Sequence, residues 1–128
     1  MQTRSIKNAR ILVIDDDRGI TSIAKRFLEE VGSCVVREEN FSEKGYASAC
    51  EFRPDLILLD WNMPIMDGGE VAVLLAKDPA LRQIPIIFIT GYGDRARKLG
   101  FPVLEKPFSW TKLLDCIATA LNANAIAA

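Results

Sequence analysis

Three short runs constrain this chain more than anything else in it: ILVI at 11–14, LILL at 56–59 and IIFI at 86–89. Each is β-rich and apolar throughout. A strand with one wet face alternates polar and apolar residues, whereas a strand covered on both faces reads as a continuous apolar run. The stretches between them have helical spacing. Ile20, Ile23, Ala24, Phe27, Leu28 and Val31 line one face of a helix, with Asp17 as its N-cap and Gly32 as its stop. Cys34–Arg37 is a shorter strand candidate. Ser42 can cap a second helix with Tyr46, Ala49 and Cys50 inward, ended by Pro54. Asp67 and Glu70 form a capping box before a helix that buries Val71, Leu74 and Leu75 and ends near Pro79. Pro102–Leu104 is the last strand, and Ser109 caps a final helix with Leu113, Leu114, Ile117 and Leu121 inward. Strands alternating with helices define an α/β chain: a parallel sheet with helices on both faces.

Composition narrows the function classes. The 128 residues, 49% hydrophobic and 26% charged, make one soluble domain, with a core over about 10–122 and short tails. The three apolar runs are far too short to span a bilayer. The opening MQTRSIKNAR carries no secretion signal, so the expected location is the cytoplasm. A net charge of −1 argues against direct nucleic-acid binding. Cys34, Cys50 and Cys116 are odd in number and without a CxxC, which argues against zinc and disulfides. The chain has no histidine, so any chemistry must run on carboxylates, hydroxyls and lysines.

In an open α/β sheet, ligands bind beyond the carboxyl ends of the strands. After ILVI come Asp15, Asp16 and Asp17. After LILL comes Asp60. After IIFI come Thr90 and Gly91, and after the last strand come Glu105, Lys106 and Pro107. Converging carboxylates repel one another, and a divalent cation removes the conflict. An all-oxygen donor set suits Mg2+ before Zn2+. The hydroxyl of Thr90 and the ammonium of Lys106 can bind phosphoryl oxygens. That set suits phosphoryl transfer, with Asp60 as nucleophile forming an aspartyl phosphate. Taken singly, each residue has a plainer role: Asp17 a helix cap, Thr90 a strand-end hydroxyl, Lys106 a solvated surface lysine, Asp60 a turn acid. Their joint placement after successive strands is what those roles leave unexplained.

Together the DD after ILVI, the DWNMPIMDG of 60–68, the Thr-Gly after IIFI and the KPF of 106–108 resemble the receiver domain of two-component response regulators, from about Ile11 to Leu121. The resemblance implies a flavodoxin-like (βα)5 fold with strand order 2-1-3-4-5. It implies that Asp60 accepts a phosphoryl group from a phosphohistidine on a sensor histidine kinase or histidine phosphotransfer protein. It implies that Asp16 ligates Mg2+ with Asp60, that Asp15 acts beside it through water, and that Asn62 contributes its backbone carbonyl. Thr90 would swing toward the phosphoryl group, Lys106 would pair with it, and the Lys106–Pro107 bond would be cis. Output would pass by contact with a downstream protein, with no catalysis beyond the chain's own phosphorylation and dephosphorylation.

Two features depart from the pattern. Only Asp94–Phe101 remain for the fourth helix, barely two turns, so a stunted helix or a loop is expected there. The family often places Tyr or Phe three residues before the lysine, and here that residue is Val103. Tyr92 and Phe101 are the nearby aromatics, and the sequence does not choose between them. The FITGYG stretch resembles receivers with a Thr-Gly-Tyr loop, found as stand-alone regulators and at the ends of hybrid kinases. Met1 favours a stand-alone protein over a receiver cut from a hybrid kinase, and oligomeric state is left open. The enzyme alternative is a phosphatase resembling the haloacid dehalogenase group, using Asp15 and Asp17. That pattern wants Thr or Val where this chain has Gly19. A pure interaction module without phosphorylation is opposed by the intact set Asp15, Asp16, Asp60, Thr90 and Lys106. A flavin carrier is opposed by acids where a phosphate-binding loop belongs.

Overall fold

The apolar runs become the middle of a five-stranded parallel sheet in a computed structural model that describes residues 6–91 and 93–127, side chains of 124–127 excepted. The strands are β1 (Arg10–Ile14), β2 (Val35–Glu39), β3 (Leu56–Leu59), β4 (Ile86–Thr90) and β5 (Val103–Glu105). The helices are α1 (Arg18–Glu30), α2 (Gly45–Phe52), α3 (Gly68–Lys77), α4 (Asp94–Lys98) and α5 (Trp110–Ala127). The strand order is β2-β1-β3-β4-β5, the doubly wound flavodoxin-like order that the resemblance implies.

The continuous apolar runs have a direct cause. Successive strand residues point to opposite faces, and both faces are covered. Ile11, Val13, Leu56, Leu58, Ile87 and Ile89 face α1 and α5, meeting Ala24, Leu28, Leu113, Ile117 and Leu121. Leu12, Ile14, Ile57, Leu59 and Phe88 face the other way, onto Ala49, Val71, Ala72, Leu75 and Ala96. No helix among the described residues is long and apolar enough to cross a membrane.

Helix starts follow their capping residues. Asp17 accepts from the backbone N–H of Gly19 (2.9 Å) and Ile20 (3.2 Å). Asp67 and Glu70 form the capping box of α3. Ser109 Oγ accepts from Lys112 N at 3.1 Å and caps α5.

Several expectations need correction. β2 runs over Val35–Glu39 rather than Cys34–Arg37, because pairing with β1 carries it two residues further. β5 is Val103–Glu105, one residue beyond the expected span. Ser42 does not cap α2: it opens a 3-10 turn, and its hydroxyl donates to Pro64 O at 2.9 Å. Cys50 and Leu74 are exposed, while Ser48 and Ala72 take the inner positions on their helices. After α1, Ser33 and not Gly32 adopts the left-handed conformation, with φ 55°.

α4 is one short turn of five residues, as its length dictates. Gly100 ends that segment with φ 87°. Phe101 then turns inward and meets Phe88 edge-on, ring centroids 5.1 Å apart. Phe88 also meets Trp61, with ring centroids 5.1 Å apart. Of the two aromatics near Val103, then, Phe101 belongs to the core; Tyr92 lies outside the described residues.

Phe88 is fully buried and joins both ring contacts, so Phe88→Ala should lower stability in urea denaturation by about 3–5 kcal/mol. A loss under about 1 kcal/mol would show that the ring chain adds little.

Candidate functional site

Strand register brings the polar residues together. Ile14 pairs with Leu59, and Leu59 pairs with Phe88. The residues just past β1 and β3 are therefore neighbours, and the N–H of Asp60 donates to Ile14 O at 3.0 Å. Thr90 pairs with Glu105 at the end of β5, and Lys106 N donates to Thr90 O at 3.0 Å. The strands thus place Asp15, Asp16, Asp60, Thr90 and Lys106 along one edge.

Carboxylate oxygens of Asp15, Asp16 and Asp60 lie within 4.8 Å of one another. Asp15 and Asp60 are buried, and Asp16 is exposed. The ammonium of Lys106 donates to Asp15 Oδ2 at 3.0 Å and stands 3.6 Å from Asp60 Oδ1. The other oxygen of Asp15 accepts from Asp17 N at 3.0 Å. The Lys106–Pro107 bond is cis.

Among the described residues, Lys106 is the cation in direct contact with Asp15 and Asp60. Burial pushes the Asp60 carboxyl up to about 6, the charge of Asp15 adds to the rise, and Lys106 opposes it. Burial also raises Asp15, while the Asp17 N–H and Lys106 pull it back. Burial alone would lower Lys106, but Asp15 and Asp60 outweigh it and the net shift is upward. The site is therefore an oxygen-lined pole with unbalanced negative charge. Its three carboxylates could hold a hard divalent cation, since all donors are oxygen and the charge favours it.

The loop after β3 is tightly built. A Cβ at Gly68 would sit 2.3 Å from Asp60 O and 2.9 Å from Trp61 Cα, so only glycine lets α3 begin there. Gly68 N donates to Trp61 O at 2.8 Å. Ile65 is 82% exposed with φ 73°, an unfavourable conformation for a β-branched residue. Asn62 is exposed in the same loop.

Among the sequence candidates, Asp15, Asp16, Asp60 and Lys106 converge, and buried Thr90 ends the adjoining strand. Asp17 is committed to capping α1, which removes it from a phosphatase-type pair with Asp15. Two roles escaped the sequence reading. Gly68 closes the DWNMPIMDG motif, but the close approach it allows to Asp60 O shows only in three dimensions. Asn40, whose amide donates to Asp15 O at 2.9 Å, lies 25 positions away. The one signal for Asn40 was topological: a residue just past β2 must lie beside the end of β1.

Residues 11–118 match the response regulator receiver domain family. The phosphate regulon transcriptional regulatory protein PhoB of Pseudomonas aeruginosa is 36% identical over 118 residues, which cover 88% of this chain and 51% of PhoB. The polar-differentiation response regulator DivK of Brucella anthropi is 30% identical, over 88% of this chain and 95% of DivK. This chain thus spans about half of PhoB but nearly all of DivK. The fold also matches the receiver domain of a sensor histidine kinase from Pseudomonas aeruginosa, solved with a magnesium ion in its active-site cleft. That match has a TM-score of 0.81 and 24% identity over 89% of this chain and 98% of the other. The chain belongs to the receiver domains of two-component response regulators.

The electrostatics carry a signed prediction for the metal-free protein. Asp60 has a higher pKa folded than its ordinary value of 3.8, so ionising it opposes folding. That cost is fully present above the folded value near 6 and fades as pH falls toward 3.8. In EDTA at pH 7.5, at about this size of shift, Asp60→Asn should stabilise the protein by about 1–3 kcal/mol. The gain should shrink steadily below pH 6. Urea denaturation across pH checks it, and a destabilised variant at pH 7.5 would contradict it.

Proposed function

We propose that this receiver takes a phosphoryl group onto Asp60 from a phosphohistidine of a sensor histidine kinase or histidine phosphotransfer protein. The observation that carries the reading is Lys106 Nζ set between Asp15 and Asp60 in a cluster of three carboxylates. A carboxylate beside a fixed ammonium, at an open sheet edge, is placed both to attack phosphorus and to have its product's charge stabilised.

Asp60 attacks with a carboxylate oxygen as the nitrogen–phosphorus bond of the donor breaks. The bonding pair stays on the leaving imidazole nitrogen, which takes a proton from solvent. Without metal a carboxyl with a pKa of about 6 is already mostly ionised near pH 7, and a bound cation would favour the carboxylate further. Lys106 faces the oxygens that gain charge. Thr90, at the end of β4, would supply a hydroxyl. Asp15 holds Lys106 in place and is itself fixed by the N–H of Asp17.

Asp15, Asp16, Asp60 and the backbone carbonyl of Asn62 are the donors we assign to Mg2+, a reading supported by the three clustered carboxylates. When bound, the ion neutralises charge shared between the carboxylates and the phosphoryl oxygens. No turnover of an outside substrate is assigned to this chain. It signals from the cytoplasm by contact with a downstream protein.

Intact mass after incubation with Mg2+ and a small acyl phosphate tests the reading. A single phosphoryl adduct is expected, absent in Asp60→Asn and absent in EDTA. An adduct that persists in Asp60→Asn would place the acceptor elsewhere. Lys106→Ala should cut the rate of labelling at least about tenfold, since it removes a charge-stabilising donor.

A further inference from the structure

The end of β1 is held by a side chain from the neighbouring edge strand. The β1–β2 ladder closes with Ile14 opposite Glu39, and Asp15 N donates to Glu39 O at 3.1 Å. One residue further, the side chain of Asn40 continues the pairing. Its Nδ2 donates to Asp15 O at 2.9 Å and to Thr21 Oγ1 at 2.9 Å. The orientation is chemically determined, because a carbonyl oxygen only accepts and so the amide nitrogen must face it. Thr21 is fully buried, and its hydroxyl donates onward to Arg18 O at 3.3 Å. One carboxamide therefore ties β1, β2 and the first turn of α1 together.

The bond has a geometric consequence. The carbonyl of Asp15 and the N–H of Asp16 share one rigid peptide plane. Holding that carbonyl sets the direction in which the chain leaves Asp15 and enters Asp16, hence where both carboxylates project. Asn40 is itself held. The carboxylate of its neighbour Glu39 accepts from the buried Ser48 hydroxyl and from Phe41 N. An aspartate would meet the Asp15 carbonyl with an acceptor and would add charge to an acidic cluster. An aliphatic residue has no donor.

We infer that Asn40 is a positioning residue for the cation-binding end of β1, aligning Asp15 and Asp16 through the peptide between them. The inference rests on the function proposed above. It gives the β2–α2 junction a part in the site, although its amide touches no phosphoryl or metal position.

The test is Mg2+ affinity by calorimetry alongside thermal melting in EDTA, for the wild type, Asn40→Ala and Thr21→Val. Thr21→Val removes the second acceptor of the amide nitrogen but keeps the Asn40–Asp15 bond and the contact of Arg18 Nη1 with Asn40 Oδ1 at 3.5 Å, so it reports structural cost alone. Asn40→Ala should weaken Mg2+ binding roughly tenfold, and Thr21→Val by less than about twofold, whatever their melting losses. Affinity in Asn40→Ala within about twofold of wild type would overturn the inference while leaving the proposed function intact. Wild-type protein that binds no Mg2+ would overturn both. If Asn40→Ala does not fold, the wild-type side-chain amide decides. Its protons should be protected from exchange and shift with Mg2+ at the calorimetric midpoint, and unprotected, Mg2+-insensitive protons would overturn the inference.

Discussion

The interaction on which the site depends is the repulsion among three carboxylates held at one sheet edge beside the Lys106 ammonium. Asp15 and Asp60 are buried, so their charges are poorly screened, and Lys106 is shared between them at 3.0 Å and 3.6 Å. An arrangement of this kind costs stability and persists only if the surrounding structure enforces it. Here the enforcement is the apolar sheet. Leu56–Leu59 and Ile11–Ile14 are locked between two helical layers, and the acids follow immediately where the strands end. The negative pole is therefore rigid as well as charged, which is what binding a hard cation and a phosphoryl group requires.

The same logic orders the parts around it. Gly68 lets α3 start directly under the Asp60 carbonyl, and Ser42 holds the loop from the α2 side through Pro64 O. Beneath the site, Trp61, Phe88 and Phe101 form a continuous aromatic contact from the acceptor loop to the segment after α4. Val103 stands on β5 where the family often has an aromatic, and a Cβ on Gly93 would come within 2.7 Å of it. The short α4 and this valine are thus parts of one local packing solution: the helix is clipped, Phe101 fills the core, and Arg97 closes the edge onto Glu105 at 2.7 Å.

The fold was legible where one physical cause dominated. Central strands buried on both faces could only read as apolar runs, and the caps Asp17, Asp67 and Ser109 announced their helices by local hydrogen bonding. The site acids were legible because each follows a strand end at once. The sequence reading faltered where several causes compete. The edge strand β2 ends in Arg37, Glu38 and Glu39, because an edge needs no continuous apolar character, so its length depends on pairing with β1. Ser42 looks like a cap, yet its hydroxyl serves a loop 22 positions away. Leu74 fits helical spacing but falls on the outer face, while small Ala72 packs inward. Asn40 is invisible to any local pattern, since its value comes from lying next to Asp15 in the sheet.

The most direct measurement is a crystal structure of the protein with Mg2+ and beryllium fluoride, a phosphoryl mimic. The account predicts the fluoride group bonded to a carboxylate oxygen of Asp60, with Lys106 and Thr90 on its fluorines and the cation held by Asp15, Asp16, Asp60 and the Asn62 carbonyl. Mimic and cation bound elsewhere, or an unmodified Asp60 under conditions that saturate the cation site, would contradict it.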